Sequence, residues 1–320
     1  MRRIKLGLAD QLVEFVDRDL ALRQVEDWAN KGTYFVQVVY GPEGRGKMAW
    51  LRQSAELLRE LEFEVIYVNS LNKLALAEIS ISSLREQLLK LVEEAISQNA
   101  LARIAWIAYS VAYDVIKLTR GKVAVIIDDA FQAIGIRESA MYVKALLNLI
   151  EYSPEHYERI VTVAVTSEGV SLREIGHHRW AETSPMWNMS KEGFKQLYEQ
   201  LPGLKPEFEG VWRLTGGNPR MLEKLYESGW IADKVINDLV REKMITPNFT
   251  RKWSNHLREA VEDPDYLWYN APEELINELI EKSLIMYFLP ERDQRFWVDQ
   301  PPPKQDPELG IGKHTAWQTP

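Results

Sequence analysis

The sequence predicts an α/β fold, a parallel sheet flanked by helices, and three observations predict it. Near-continuous apolar runs at Lys122 to Ile127 and Ile160 to Val165 are separated by helical patterns, as expected of strands buried on both faces of a parallel sheet. The apolar run Tyr34 to Tyr40 leads through the glycine-rich turn Gly41-Pro42-Glu43-Gly44-Arg45-Gly46-Lys47 into a helical stretch, Trp50 to Glu60. The third observation is the acidic pair Asp128-Asp129 at the end of one of the buried runs.

The turn satisfies the phosphate-binding pattern G-x-x-x-x-G-K-[ST] at every fixed position but the last, where Met48 stands, followed by Ala49. Glycines free backbone N–H groups to wrap a polyphosphate, and the following helix adds aligned donors. Lys47 is then placed to reach the outer phosphates. By chance G-x-x-x-x-G-K arises about 0.1 times in a chain this long. The weight therefore comes from the strand before it, the helix after it and the acids downstream.

The other elements follow in order. Asp17 or Asp19 is expected to cap a helix whose face carries Leu22, Val25 and Ala29, with Gly32 ending it. Phe63 to Val68 reads as a strand. Ser83-Leu84-Arg85-Glu86 has the form of a capping box before a core-facing helix, and Ala100 to Leu118 gives another helix. Arg103 and Asp114 within that last segment argue against a membrane span. Met186 to Met189 is expected to add a short fifth strand. From Ser190 onward the pattern is helical. Asn218 suits an N-cap and Pro219 the first helical position. Helices are expected at Ile231 to Arg241, Thr250 to Val261 and Pro272 to Ser283. Leu284 to Leu289 and Arg295 to Val298 are expected to pair as a hairpin, and helix followed by hairpin suggests a winged helix. The expected divisions are 1–190 for the core, 191–262 for a helical lid and 263–320 for a small winged-helix-like domain. The chain stops at Thr319-Pro320 with no closing helix, which suggests a shortened C-terminus.

Composition narrows the function. The 320 residues carry a net charge of −8, which disfavours nonspecific binding to nucleic acid or anionic lipid. There are no cysteines, so disulfides, thiolate metal sites and cysteine nucleophiles are excluded, and a reducing cytoplasm fits. The basic start meets Asp10 before any signal-peptide core develops.

Candidate chemistry gathers where the strands end. Asp128 is placed to hold Mg²⁺ directly or through water, and Asp129 to orient an attacking water. Thr166 and Ser167, after the next strand, either sense phosphate or form a turn. Arg220, in the first turn of a helix, is locally unfavourable unless an anion lies near. Arg18 either contacts phosphate, supports a base pocket or acts structurally. His177 and His178 are adjacent, so their side chains diverge and no third metal ligand is evident.

Phe15-Val16-Asp17-Arg18, Gly41 to Lys47, Ile126 to Asp129, Val165 to Ser167 and Thr215 to Arg220 together resemble the P-loop ATPases of AAA+ and STAND type, most closely the archaeal ATPase family. The resemblance covers roughly residues 10 to 245. It implies a P-loop NTPase core, a helical lid and a winged-helix unit, with ATP between core and lid. It implies that Lys47 binds the β- and γ-phosphates, Asp128 serves Mg²⁺, Asp129 activates water, Thr166 or Ser167 senses phosphate, and Asn218-Pro219 shapes the lid. Met48 departs from the pattern, because a thioether is a poor ligand for hard Mg²⁺. The expectation is an ATPase switch with weakened hydrolysis. A non-hydrolysing nucleotide-bound regulator is the alternative, and a nucleic-acid-binding winged helix ranks third. Glu273, Glu274, Glu278 and Glu281 against Lys282 alone on the expected helix Pro272 to Ser283 disfavour that third role and favour a protein partner. The residues assign no oligomeric state.

Overall fold

Strands that read as continuous apolar runs need cover on both faces, and the chain supplies it. The computed structural model describes residues 2–167, 175–176 and 179–320. The chain divides into two units: residues 1–4, 19–40 and 47–185 form one, and residues 5–18, 41–46 and 186–320 form the other.

The first unit holds a six-stranded sheet. Its strands are β3 (Val36–Tyr40), β4 (Glu64–Asn69), β5 (Leu74–Glu78), β6 (Lys122–Asp128), β7 (Arg159–Thr166) and β8 (Ala181–Pro185), in the spatial order β5-β4-β6-β7-β3-β8. All neighbours are parallel except β5, which runs antiparallel to β4 at the edge. The register aligns the carboxyl ends: Asn69 lies opposite Asp128, Asp128 opposite Val165, and Thr166 opposite Tyr40. Helices α1 (Asp19–Lys31), α2 (Lys47–Glu60), α3 (Ser82–Ser97), α4 (Leu101–Thr119), α5 (Ala130–Ile134) and α6 (Ile136–Glu151) complete the unit. Leu88 of α3, Ile104 and Val111 of α4, Tyr142 and Leu146 of α6 and the strand residues Val38, Ile66, Val125 and Ala164 share one buried core.

Two local expectations change here. The expected capping box at Ser83 does not form: α3 starts at Ser82 behind Ile81, whose side chain makes no capping bond. The strand expected over Met186 to Met189 ends earlier, at Pro185, and Met186 makes only an isolated parallel bridge to Val298.

The second unit opens on a hairpin, β1 (Lys5–Leu8) and β2 (Gln11–Glu14), turned at Ala9-Asp10 with Ala9 at φ +53°. Helices α7 (Lys191–Gln200), α8 (Phe208–Thr215), α9 (Pro219–Glu227) and α10 (Ala232–Glu242) follow. Phe194, Leu197, Val211, Leu222 and Val235 bury one face of each and enclose Leu8 and Val13 of the hairpin. Ser190 caps α7, accepting from the Gly193 N–H at 2.9 Å. Asn218 caps α9 with Pro219 next, as its sequence position predicts. Helices α11 (Pro247–Lys252), α12 (Ser254–Glu262), α13 (Tyr266–Tyr269) and α14 (Glu273–Glu281) continue the chain.

The expected hairpin between Leu284 to Leu289 and Arg295 to Val298 is not formed. Strand β9 (Ile285–Met286) pairs instead with β10 (Ala316–Trp317), antiparallel. Gln294–Phe296 is a 3₁₀ turn capped by Asp293. The partner strand is presented by Asp265, whose carboxylate accepts from the N–H groups of Lys313, His314 and Thr315. Among the described residues no helix is long and apolar enough to cross a membrane.

The sheet interior sets the stability of the first unit. Ile126→Ala in β6, a fully buried position, is expected to lower the unfolding free energy by about 2–5 kcal/mol. A shift of the urea midpoint to lower denaturant, at unchanged slope, checks it.

Candidate functional site

Two sets of residues, one in each unit, meet along the chain at the bond from Gly46 to Lys47. In the first unit, Lys47 opens α2 and is buried, while Met48 beside it is 38 % exposed. Ala49 continues the same turn. Asp128 ends β6, buried, in the row of strand ends that includes Asn69 and Thr166. One of its oxygens, Oδ2, accepts from the Tyr67 hydroxyl at 3.0 Å and from Asn69 Nδ2 at 2.9 Å. Tyr67 and Asn69 lie two apart on β4, so strand alternation turns both to the same face. Burial, then repulsion from Asp129, pushes the Asp128 carboxyl up to about 6, and Asn69, Tyr67 and Lys47 oppose the rise.

Asp129 sits at φ +48°, a left-handed conformation that a short polar side chain tolerates, at the N-cap of α5. Thr166 is buried at the end of β7. The Ser167 hydroxyl, one residue on, accepts from Gln132 Nε2 at 3.2 Å.

In the second unit the loop residues Gly41, Pro42, Glu43, Gly44, Arg45 and Gly46 turn on positive φ at three glycines: +150° at Gly41, +85° at Gly44 and +82° at Gly46. Space demands glycine as much as torsion does. A Cβ on Gly41 would stand 2.6 Å from the Met186 carbonyl oxygen, and one on Gly44 would stand 2.4 Å from Cβ of Arg220. The start of α9 docks on this loop: the Arg220 N–H donates to the Gly44 carbonyl at 3.2 Å, and Asn218 Nδ2 donates to the Glu43 carbonyl at 3.4 Å. Pro219 lies 3.8 Å from the position of a Gly46 Cβ. The unfavourable placement of Arg220 in the first turn is met within its own helix, where its guanidinium pairs with Glu223.

Arg18 takes a structural place. It is buried at φ +66°, and Nη1 donates to Asp299 Oδ2 at 2.8 Å and to the Asn188 carbonyl at 3.3 Å. Its Nη2 donates to the carbonyls of Arg45 at 2.6 Å and Trp187 at 2.9 Å. The structure thus brings Arg18, the loop, Pro219 and Arg220 together in one unit and Lys47, Asp128, Asp129, Thr166 and Ser167 together in the other.

Sequence reasoning missed Tyr67, Asn69, Trp187, Gln132 and Asp299. Tyr67 and Asn69 left a signal, two hydrogen-bonding side chains on one face of a strand end. The pairing of Asp299 with Arg18, far along the chain, left none. The adjacent His177 and His178 lie outside the described residues, and among the described residues no cluster of metal-binding side chains gathers.

A family model described as an ATPase domain predominantly from Archaea matches residues 15–225. The chain belongs to this archaeal ATPase family. The matched span takes in Arg18, the phosphate loop, Asp128, Thr166 and the α9 cap at Asn218. No curated protein matches the chain. Among solved structures, the chain is similar to the Aeropyrum pernix ORC2 protein in its ADPNP–ADP complexes, at 15 % identity and a TM-score of 0.41, covering 83 % of this chain and 86 % of that one. The Aeropyrum pernix ORC1 protein in complex with DNA gives 14 % identity and a TM-score of 0.41, covering 88 % and 87 %. Domain III of the Thermotoga maritima replication initiation protein DnaA gives 16 % and 0.39, covering 70 % and 94 %.

The glycine-built loop followed by a 14-residue helix with a buried lysine at its start fits a polyphosphate. For a divalent cation the same ATPase domain offers Asp128 but, at position 48, a thioether. Asp128 has a consequence that needs no ligand. Its folded carboxyl titrates near 6 against an ordinary 3.8, so its contribution to stability is present below about pH 4 and is lost as pH rises through 6. The loss is about 3 kcal/mol. In chelator, Asp128→Asn is expected to flatten the melting temperature between pH 4 and 6.5 relative to wild type, and parallel profiles would show that the carboxyl is not the source.

Proposed function

We propose that this ATPase domain binds ATP through residues 41–49 and works as a nucleotide-dependent switch whose hydrolysis is slowed by Met48. The observation that carries this is the loop itself: three glycines at positive φ leading into α2, with Lys47 buried at its first position. Lys47 and the backbone amides bind the triphosphate. Asp128 would hold Mg²⁺, directly or through water, and the bound cation would offset charge on the phosphates. Asp129 orients the attacking water, and Thr166 or Ser167 reports on the outer phosphate. Asn218 and Pro219 set the angle at which α9 meets the loop, and Arg220 adds positive charge on that side.

Met48 is what slows the reaction on this account. It removes a hydroxyl that a hard cation prefers, and a thioether does not replace it. Backbone and lysine contacts to phosphate do not depend on that hydroxyl, so binding outlasts turnover. A second reading, a nucleotide-bound regulator that does not hydrolyse ATP, is favoured by the same Met48. The engagement of one Asp128 oxygen by Tyr67 and Asn69 favours it further, since that oxygen's lone pairs are shared with protein donors.

We further assign 1–190 to the ATPase core, 191–262 to a lid that responds to nucleotide and 263–320 to a winged-helix-like domain that meets a protein partner. The acidic helix α14, with Glu273 and Glu274 in its first turn, supports a protein over a nucleic acid there. The absence of cysteine accords with a reducing cytoplasm.

Steady-state ATP hydrolysis with Mg²⁺ tests this directly. Met48→Thr is expected to turn over about 10–100-fold faster than wild type, with Lys47→Ala as the blank. Equal rates for wild type and Met48→Thr would remove Met48 from the account. A wild type no faster than Lys47→Ala, beside an active Met48→Thr, would select the non-hydrolysing regulator.

A further inference from the structure

Arg45 is the fifth residue of the phosphate loop, and its side chain is fully buried. Its guanidinium carbon lies 3.7 Å from the centre of the Trp187 ring. Among the described residues, none of its Nε, Nη1 and Nη2 atoms has a hydrogen-bond partner. A guanidinium offers five N–H donors and accepts nothing, so burying one without an acceptor is costly. The aromatic face offsets part of that cost and neutralises no charge.

The surroundings make the imbalance worse. Arg18 forms an ion pair with Asp299, both buried, its Nη1 donating to Asp299 Oδ2 at 2.8 Å. Arg18 itself bonds the Arg45 backbone carbonyl. Arg18 and Arg45 are thus two buried guanidinium groups at this corner of the loop, and the Asp299 carboxylate bonds Arg18 and not Arg45. Arg18 lies near enough that its charge, after burial, pushes the Arg45 guanidinium well below its ordinary value. The side chain is also held in place: the carbonyl of Arg45 is fixed by Arg18, and Trp187 is braced edge-on by Trp297 at 6.4 Å.

We propose that the buried guanidinium of Arg45 is the charge by which the loop registers a polyphosphate: uncompensated in the protein alone, it is neutralised by the anion the loop binds. This rests on the nucleotide-binding reading of residues 41–49 and gives one of those residues a role of its own. Lys47 supplies direct charge at the helix start. Arg45 supplies charge from beneath the loop, through a medium of low polarity where charges act over longer distances than in water. The consequence is a trade: a less stable loop without nucleotide and a steeper gain in stability with it. The trade depends on the number of phosphates. A triphosphate benefits most and a monophosphate least.

The test is binding and melting in chelator, so that metal plays no part, with ATP and AMP as probes. Wild type, Arg45→Met, Arg45→Lys and Lys47→Ala are compared. Arg45→Met keeps an unbranched chain against Trp187 and removes the charge. It is expected to melt no lower than wild type without nucleotide, to weaken ATP binding about tenfold and to change AMP binding less than twofold. Arg45→Lys, which keeps the charge, is expected to stay within about threefold of wild type for ATP. If Arg45→Met fails to fold, or melts lower than wild type while binding ATP equally well, Arg45 is a packing residue and the proposal falls. If wild type binds ATP no better than Lys47→Ala does, the nucleotide reading of the loop fails and this proposal with it. ATP binding that responds to Lys47→Ala but not to Arg45→Met overturns this proposal alone.

Discussion

One buried guanidinium ties the second unit together. Arg18 reaches the carbonyls of Arg45, Trp187 and Asn188 and the carboxylate of Asp299, so three separate stretches of chain meet on one side chain. An ion pair this deep gains little net stability over an apolar substitute. Losing one partner, however, strands a buried charge at about 3–5 kcal/mol. The arrangement is therefore better understood as a device of specificity. It fixes the loop carbonyl at 45 relative to residues 187–188 and the segment around Asp299. Asp17, its neighbour, does the same for α7, accepting from the N–H and hydroxyl of Ser190. Both residues sit at positive φ, +64° and +66°. Backbone strain at two successive non-glycine positions persists only where the surroundings over-determine it, and here they do.

The first unit is organised by register. Parallel pairing brings Asn69, Asp128 and Thr166 to the same end of the sheet as Tyr40, from which the phosphate loop departs. Ligands of open α/β sheets bind at that end. The carboxyl that ends β6 is under opposing influences: burial and Asp129 disfavour its charged form, and hydrogen bonds from Asn69 and Tyr67 favour it. On the proposed reading, a cation would settle that balance toward the carboxylate, and Met48 offers it no hydroxyl ligand. On that reading, turnover by this ATPase domain depends on Met48, a side chain that is exposed while its neighbour Lys47 is buried.

What could be read from sequence followed from local rules, and what could not depended on distant partners. β6 and β7 announced themselves because residues buried on both faces leave continuous apolar runs. Ser190 and Asn218 were readable as caps because a cap bonds its own neighbours. The hairpin β1–β2 was not, since strands of four residues are too short to show a periodicity. Nor was the pairing of β9 with β10, which is set by Asp265 gripping residues 313–315. The capping box at Ser83 shows the opposite error: a valid local pattern that the chain bypasses by starting α3 at Ser82. At the site, the loop, Lys47 and Asp128 were legible as motif, whereas Tyr67, Trp187 and Asp299 become functional candidates only through what they touch.

The central claim is that the loop and Lys47 hold the triphosphate with little help from metal. Calorimetric titration of wild type with ATP, once in excess Mg²⁺ and once in chelator, measures this most directly. The account predicts dissociation constants within about tenfold of each other. A loss of binding in chelator by about a thousandfold would mean that the cation is held well despite Met48, and would contradict it.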